Sequence, residues 1–364
     1  MRASKVADKI GVVVHGPEVV DSGCAERALD LLEDMGSVTA VLGGTMGRVA
    51  VIDAALEDRI DITRREMPSR SVQRLEPAVE IVILLNYAKS RETGFAFGAM
   101  VASRARPKKP LLLADFGGGL LSVLAGEAGP VAERIAQALG LELVVAPEFQ
   151  PRTESSEGTV RRRILGAVPG ENVSINGTVV AKALEDTVEI TAIDGKIAEI
   201  SGALVKAHGL EKLSFVDLEA AILRTGDIRR TESVPRSIFT CGSDAALIDH
   251  AAEETFENAR GAMVAITVGD DTTAIAGDVL ARLGTPLVGI VDGDVDHLCH
   301  RTVTPVGSVV IEVRPGCDDV VGRRIREEIF DGKYRISMDG LGIEDLVKWI
   351  KKIAGEDLRS ERRF

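Results

Sequence analysis

An α/β protein is expected, with a doubly wound N-terminal domain over residues 1–150, a small β-rich insertion and connector over 151–235, and a second α/β domain over 236–364. Three observations lead there. Apolar runs rich in Val, Ile and Leu alternate with segments of helical periodicity in both outer regions, the pattern of parallel strands joined by helical crossovers. The middle region instead carries short alternating segments separated by Pro169-Gly170, Asn176-Gly177 and Asp194-Gly195, and the last two pairs are strong hairpin signals. Hydrophobic residues make up 45% of the 364, but aromatic ones only 3%. Cores of aliphatic side chains follow, and these suit parallel sheets covered by helices.

In chain order, residues 10–14 (IGVVV) are the first strand, and Asp21 or Ser22 is expected to cap a helix over 24–34. Residues 37–42 form the next strand, which opens into Gly43-Gly44-Thr45-Met46-Gly47-Arg48 before the apolar run 49–56. Gly43, Gly44 and Gly47 would let backbone N–H groups and a helix N-terminus approach an anion, with Arg48 as its charge partner. The alternative is a tight turn with no ligand, because the loop matches neither GxGxxG nor GxxxxGK[ST]. Strands follow at 80–85 and 111–114, helices around 92–103 and 130–139, and a last strand at 141–145. Gly117, Gly118 and Gly119 imply close backbone approach or positive φ. The strand ends carry His15, Asn86 and Asp115, with Asp53 nearby. These can line one crevice, although polar residues are also the ordinary content of such loops. The alternation makes residues 1–150 a Rossmann-like domain.

From residue 150 the texture changes. PRTESSEG reads as a linker, and 159–205 as an antiparallel unit of four or five strands that serves as a lid or as a contact surface in a homo-oligomer. Arg161, Arg162 and Arg163 are either a solvated strand edge or a phosphate contact. A helix is expected over 215–223, a strand over 237–241, and a helix capped by Asp244 that runs to 260. Residues 306–313 are read as a strand and 320–330 as a helix, with Asp318 and Asp319 as charges favoured by the helix dipole rather than as ligands. A final amphipathic helix over 342–353 half-buries Trp349, and the charged tail EDLRSERRF is expected to fray.

The stretch 263–296 organises the C-terminal region. Strand, helix and strand follow one another over 263–268, 271–283 and 286–291, which makes a parallel βαβ unit. Asp270 and Asp271 follow the first strand, and Asp292, Asp294 and Asp296 follow the second, so both groups emerge at the carboxyl edge of one sheet, where open parallel sheets bind ligands. Five carboxylates there repel one another unless a cation or a shared proton relieves them. An all-oxygen set points to Mg²⁺ or Mn²⁺. Asp270 or Asp271 can instead cap the following helix, whereas three carboxylates in five residues exceed what a turn requires. His297 is placed to act as general acid beside a metal-bound phosphate. With Cys299 and His300 it also offers imidazole and thiolate to zinc or iron.

This stretch resembles the Toprim domain, the Mg²⁺-binding α/β fold of topoisomerases, primases and related nucleases, in which one strand ends in Glu-Gly and a later strand ends in Asp-x-Asp. Asp292-Gly293-Asp294 matches the second motif, while Gly269-Asp270-Asp271 stands where the family has Glu. The resemblance implies a C-terminal Toprim-like domain with Mg²⁺ held at Asp292 and Asp294. The whole sequence is similar to a family of archaeal proteins of unknown function, through VVVHGPEVVDSG, AVLGGTMGRVAVIDA and GDDTTAIAGDVL followed by VDGDVD. That similarity brings no activity with it.

Composition narrows the function. The net charge is −12 and the pI about 5.1, which gives no basic footprint for long nucleic acids. No apolar run approaches the roughly 20 residues that span a bilayer, the start of the chain lacks an apolar signal core, and the four cysteines form no CxxC pair. A cytoplasmic protein with reduced thiols is expected, without a membrane partner. No GxSxG elbow is present. The expected activity is metal-dependent hydrolysis or transfer at phosphorus on a small phosphorylated molecule or nucleotide. Mg or Mn would sit at Asp292, Asp294 and Asp296, with Asp270 and Asp271 as further ligand or weak base and His297 as acid. The competing expectations are a non-catalytic protein that binds a small ligand or an assembly partner, and a Toprim-type nuclease.

Overall fold

The central strands of the largest sheet coincide with strongly apolar runs of the chain, because a parallel strand flanked by helices is buried on both faces. The computed structural model describes all residues except 1–6, 46, 148–152, 177, 212, 227–228, 232–233, 239–241, 250, 294–302 and 339, and omits the side chains of 208 and 253. Two compact units result, one of Met1–Val51 with Leu56–Glu232 and one of Ile52–Ala55 with Ser233–Phe364. Both are mixed α/β.

In the first unit, β1 (Lys9–Val14), β2 (Ser37–Leu42), β3 (Ile60–Asp61), β4 (Ile81–Asn86), β5 (Leu111–Asp115), β6 (Leu120–Ala125) and β7 (Glu142–Leu143) form one sheet in the order β3-β2-β1-β4-β5-β6-β7. The connecting helices are α1 (Glu18–Asp21), α2 (Cys24–Glu33), α3 (Arg48–Asp53), α4 (Pro68–Leu75), α5 (Arg91–Ala105) and α6 (Gly129–Leu139). β1 pairs in parallel with both β2 and β4. The chain therefore steps outward to β3 and returns to the other side of β1, and its winding reverses between β1 and β4.

One local expectation changes here. Asp21 does not cap α2, which starts from Gly23 at φ 72° without a side-chain cap; its carboxylate instead pairs with Arg229 at 2.5 Å and takes the Thr231 hydroxyl. The three glycines after Asp115 show the close approach and positive φ expected of them, Gly119 at φ 64°. They turn β5 into the antiparallel β6, with Asp115 opposite Leu120. Gly117 is required by space, since a Cβ there would stand 2.0 Å from the Ala88 carbonyl oxygen.

The rest of this unit holds eight strands in two antiparallel sheets among the described residues; six of them lie within 159–205, where four or five are expected. β8 (Thr153–Ser156), β9 (Thr159–Leu165), β12 (Thr187–Ile193) and β13 (Lys196–Ser201) make one sheet, and β10 (Asn172–Ile175), β11 (Thr178–Ala183), β14 (Ala203–Val205) and β15 (Leu223–Thr225) the other, with α7 (Ala207–Glu211) between the last two. They close around Val173, Ile175, Val180, Val188 and Ile190. Part of the expected linker is β8. The arginine cluster is committed within this layer: Arg163 pairs with Glu189 at 2.7 Å, and Arg162 donates to the carbonyls of Leu218 and Ala221 at 2.8 and 2.6 Å. The expected helix over 215–223 is a loop that leads into β15, held by Asp217 accepting from Glu219 N and by Asn176 accepting from Ile222 N.

In the second unit, the sheet runs β20 (Arg335–Ser337), β16 (Asp244–Asp249), β17 (Ala262–Val268), β18 (Leu287–Val291), β19 (Val309–Val313) and β21 (Leu358–Arg363). β16 to β19 are parallel and the two edges antiparallel. The helices are α8 (Thr255–Ala259), α9 (Asp270–Leu283), α10 (Asp318–Glu328) and α11 (Ile343–Ala354). The core gathers Leu247, Ile266, Ile290, Ile311, Phe330 and Ile350. Asp244 opens β16 rather than capping a helix, because Ala245 to Ile248 pair between two strands and are fully buried. The charged tail is β21 rather than a frayed end, fixed by Lys351 to Glu361 at 2.8 Å and Arg363 to Glu344 at 2.6 Å. Charge suits it to an edge.

Candidate metal centre

Three parallel strands end side by side in the second unit, and each is followed by a glycine and an aspartate. β17 is followed by Gly269, whose φ of 99° lies where a side chain is strained, and Asp270 then begins α9. The Asp270 Oδ2 accepts from the backbone N–H of Asp292 at 2.9 Å and of Gly293 at 3.3 Å, so the turn after β18 is tied to the start of α9. Asp292 in turn accepts from Gly316 N at 2.5 Å, which ties in the loop after β19. Asp318 is the first residue of α10. One carboxylate oxygen from each of Asp270, Asp292 and Asp318 lies within 4.8 Å of the others, and all three residues are half-buried.

Electrostatics register the crowding. Burial pushes the Asp270 carboxyl up from 3.8 to about 6, and the neighbouring Asp292 carboxylate adds to the rise, against the two backbone N–H donors that favour the charged form. Asp270 and Asp318 also begin helices, whose N-termini favour negative charge. An all-carboxylate group of this size is suited to a hard divalent cation and poorly suited to a soft one.

Of the residues expected at this edge, Asp270 and Asp292 are brought together. Asp271 shares the first turn of α9 but is not part of the converging group among the described residues. Asp294, Asp296 and His297 lie outside the described residues, as do Cys299 and His300. Asp318, expected to serve as a helix-dipole charge, joins the group. Its signal was the repetition of a glycine close to an aspartate after three successive strands, at Gly269-Asp270, Asp292-Gly293 and Gly316-Cys317-Asp318.

The expected anion loop of the first unit follows β2. A Cβ at Gly43 would stand 2.7 Å from Val13 Cγ1, and one at Gly47 would stand 2.7 Å from Leu42 Cδ1 and 3.1 Å from the Gly16 carbonyl oxygen. Gly44 takes φ 99° and donates to Glu66 O at 2.6 Å. Arg48 is 2% exposed, and its Nε donates inward to Ile62 O at 3.1 Å. Close packing accounts for the glycines at 43 and 47.

Residues 12–333 match the model of a family described as an uncharacterized protein conserved in archaea (DUF2117). The chain belongs to that family, and the matched stretch includes Asp270, Asp292 and Asp318. The uncharacterized protein MJ0065 of Methanocaldococcus jannaschii is 40% identical over 361 residues, which cover 96% of this chain and 97% of that one. No helix among the described residues is long and apolar enough to cross a membrane.

Proposed function

We propose that this chain is a metal-dependent enzyme acting on a small phosphate-containing substrate, by hydrolysis or transfer at phosphorus. The observation that carries the reading is the convergence of Asp270, Asp292 and Asp318 within 4.8 Å at the ends of three neighbouring strands. In this reading the three carboxylates hold Mg²⁺ or Mn²⁺, and Asp294 joins them on sequence grounds, as the second acid of the Toprim-like Asp-x-Asp. The cation would neutralise charge on the phosphoryl oxygens and orient an attacking water. Asp271 and His297 are candidates for weak base and general acid.

One observation favours a second reading, a non-catalytic binding protein. Asp270 and Asp292 already accept backbone N–H groups that stitch the loops together, which is what purely structural turn residues do. Calorimetric titration of Mn²⁺ and Mg²⁺ into the wild type and into Asp292→Asn/Asp318→Asn separates the two, followed by phosphate release from nucleotides and sugar phosphates. The enzyme reading expects binding that the double variant loses by at least tenfold and turnover that follows the metal. Wild type that binds neither cation, with or without a nucleotide present, would sink it.

A further inference from the structure

Where the winding of the seven-stranded sheet reverses, the loops leaving β1 and β4 diverge, and open α/β sheets hold ligands at such a point. His15 directly follows β1 and Asn86 ends β4. Nδ1 of His15 lies 2.9 Å from Asn86 Oδ1, and Asn86 Nδ2 donates to Asp115 Oδ2 at 2.6 Å. Asp115, at the end of β5, is fully buried. Its carboxylate also accepts from Ala88 N at 3.2 Å and Gly118 N at 2.6 Å. Gly94 leaves the room for it, since a Cβ there would stand 2.7 Å from Asp115 Oδ2.

This chain of contacts fixes a proton. A carboxylate only accepts, so Asn86 must turn its NH₂ toward Asp115 and its carbonyl oxygen toward His15. That oxygen also only accepts, so the His15 Nδ1 carries the hydrogen. In the neutral ring Nε2 then keeps its lone pair. Nε2 has no hydrogen-bond partner among the described residues, while the ring lies on Phe97 with centroids 4.0 Å apart and planes 16° from parallel. Burial holds the imidazole below its ordinary range, opposed by the Asn86 bond; Arg224 lowers it further, and Glu18 and Asp115 raise it. Glu18 itself pairs with Arg230 at 3.0 Å.

We propose that His15 is a general base, whose Nε2 takes the proton of a hydroxyl on a small ligand seated at the carboxyl edge of β1 and β4. In that step the ligand O–H bond breaks and an Nε2–H bond forms. The ligand is left as an alkoxide, and the ring as an imidazolium that keeps its Nδ1–H on Asn86. Asp115, through Asn86, and Glu18 answer the new positive charge, and Arg224 adds positive charge against the alkoxide. Asn86 and Asp115 are positioning residues. The amide oriented by the buried carboxylate sets which ring nitrogen carries the hydrogen and leaves Nε2 as the basic one. The site lies wholly within the first unit and does not depend on a cation at Asp270, Asp292 and Asp318.

The test uses the full chain labelled with ¹⁵N-histidine at pH 7.5, with the His15 signals assigned by their loss in His15→Gln. Two-bond ¹⁵N–¹H correlations should show Nδ1 protonated and Nε2 bare in the wild type, and a swing toward the Nε2–H form in Asn86→Ala. Diethyl pyrocarbonate, a small electrophile that acylates only unprotonated ring nitrogen, should modify His15 in the native protein at a rate within tenfold of free N-acetylhistidine. A wild-type ring that is cationic or Nε2-protonated at this pH overturns the proposal. So does a His15 that reacts only after urea is added, because its Nε2 would then be closed to any ligand.

Discussion

Replacing Asp270 by Asn should stabilise the metal-free protein while abolishing its response to Mn²⁺. The amide keeps an oxygen for the N–H groups of Asp292 and Gly293 and removes only the charge. The rise of the Asp270 carboxyl from 3.8 to about 6 corresponds to about 3 kcal/mol, at ~1.4 kcal/mol per pH unit. Coulomb's law gives a similar scale. Two unit charges within 4.8 Å of each other repel by roughly 3 kcal/mol or more at an effective dielectric of ~20. Because these half-buried carboxylates are partly screened, a gain of about 1–3 kcal/mol is expected at pH 7.5 in EDTA. The single tryptophan of the chain, Trp349 on α11, lies in the second unit, so its fluorescence during urea unfolding reads the unit that changes. The folded value lies above the unfolded one, so the folded state binds the extra proton between about pH 4 and 6. Wild-type stability should therefore fall as pH rises through that window and level off above it, and the gap between variant and wild type should be about half as large at pH 5. Adding Mn²⁺ at pH 7.5 should reverse the order, since only the wild type gains from binding. A variant less stable than wild type in EDTA, or a gap that does not shrink at pH 5, would refute the reasoning.

Two further predictions concern packing. Lys89 Nζ sits 2.6 Å from both oxygens of Glu171, with each side chain about one-fifth exposed. Lys89→Met should cost about 1–3 kcal/mol, and Lys89→Met/Glu171→Gln should recover most of it; additive losses in urea unfolding would show that the pair is not coupled. Gly322 lets α10 lie against β17, because a Cβ there would stand 2.6 Å from Val268 Cγ1. Gly322→Ala should lower the Trp349 unfolding midpoint by an amount equivalent to about 1–3 kcal/mol, although alanine is favoured over glycine in a helix by ~1 kcal/mol; a raised midpoint would mean that the close approach is absent.

The parts of the fold that were legible in the sequence are those whose burial is continuous. β1, β4 and β17 are runs of Val, Ile and Leu closed by turn residues, and local pattern suffices for them. β16 and β21 were not legible, for opposite reasons. The sequence DAALID offers alanines that favour helix and becomes a strand only because β17 and β20 pair with it on either side. LRSERR is charged along its length and is a strand only because β19, about fifty residues earlier, supplies its ladder. The acidic edge repeats this difference between local and non-local information. Read alone, Asp318 is a first-turn carboxylate favoured by the helix dipole, an effect of about 0.3–1 kcal/mol. Parallel register sets it beside Asp270 and Asp292, where each like-charge pair costs roughly 3 kcal/mol at an effective dielectric of ~20. The Asp270 carboxyl stands at about 6, first because burial disfavours its charge and then because Asp292 lies beside it, and the two backbone N–H groups that donate to it at the start of a helix do not offset the rise. Capping can explain why an aspartate stands at each of these turns, but not why three of them converge on one point. Both burial of charge and carboxylate crowding are what the proposed divalent cation would relieve.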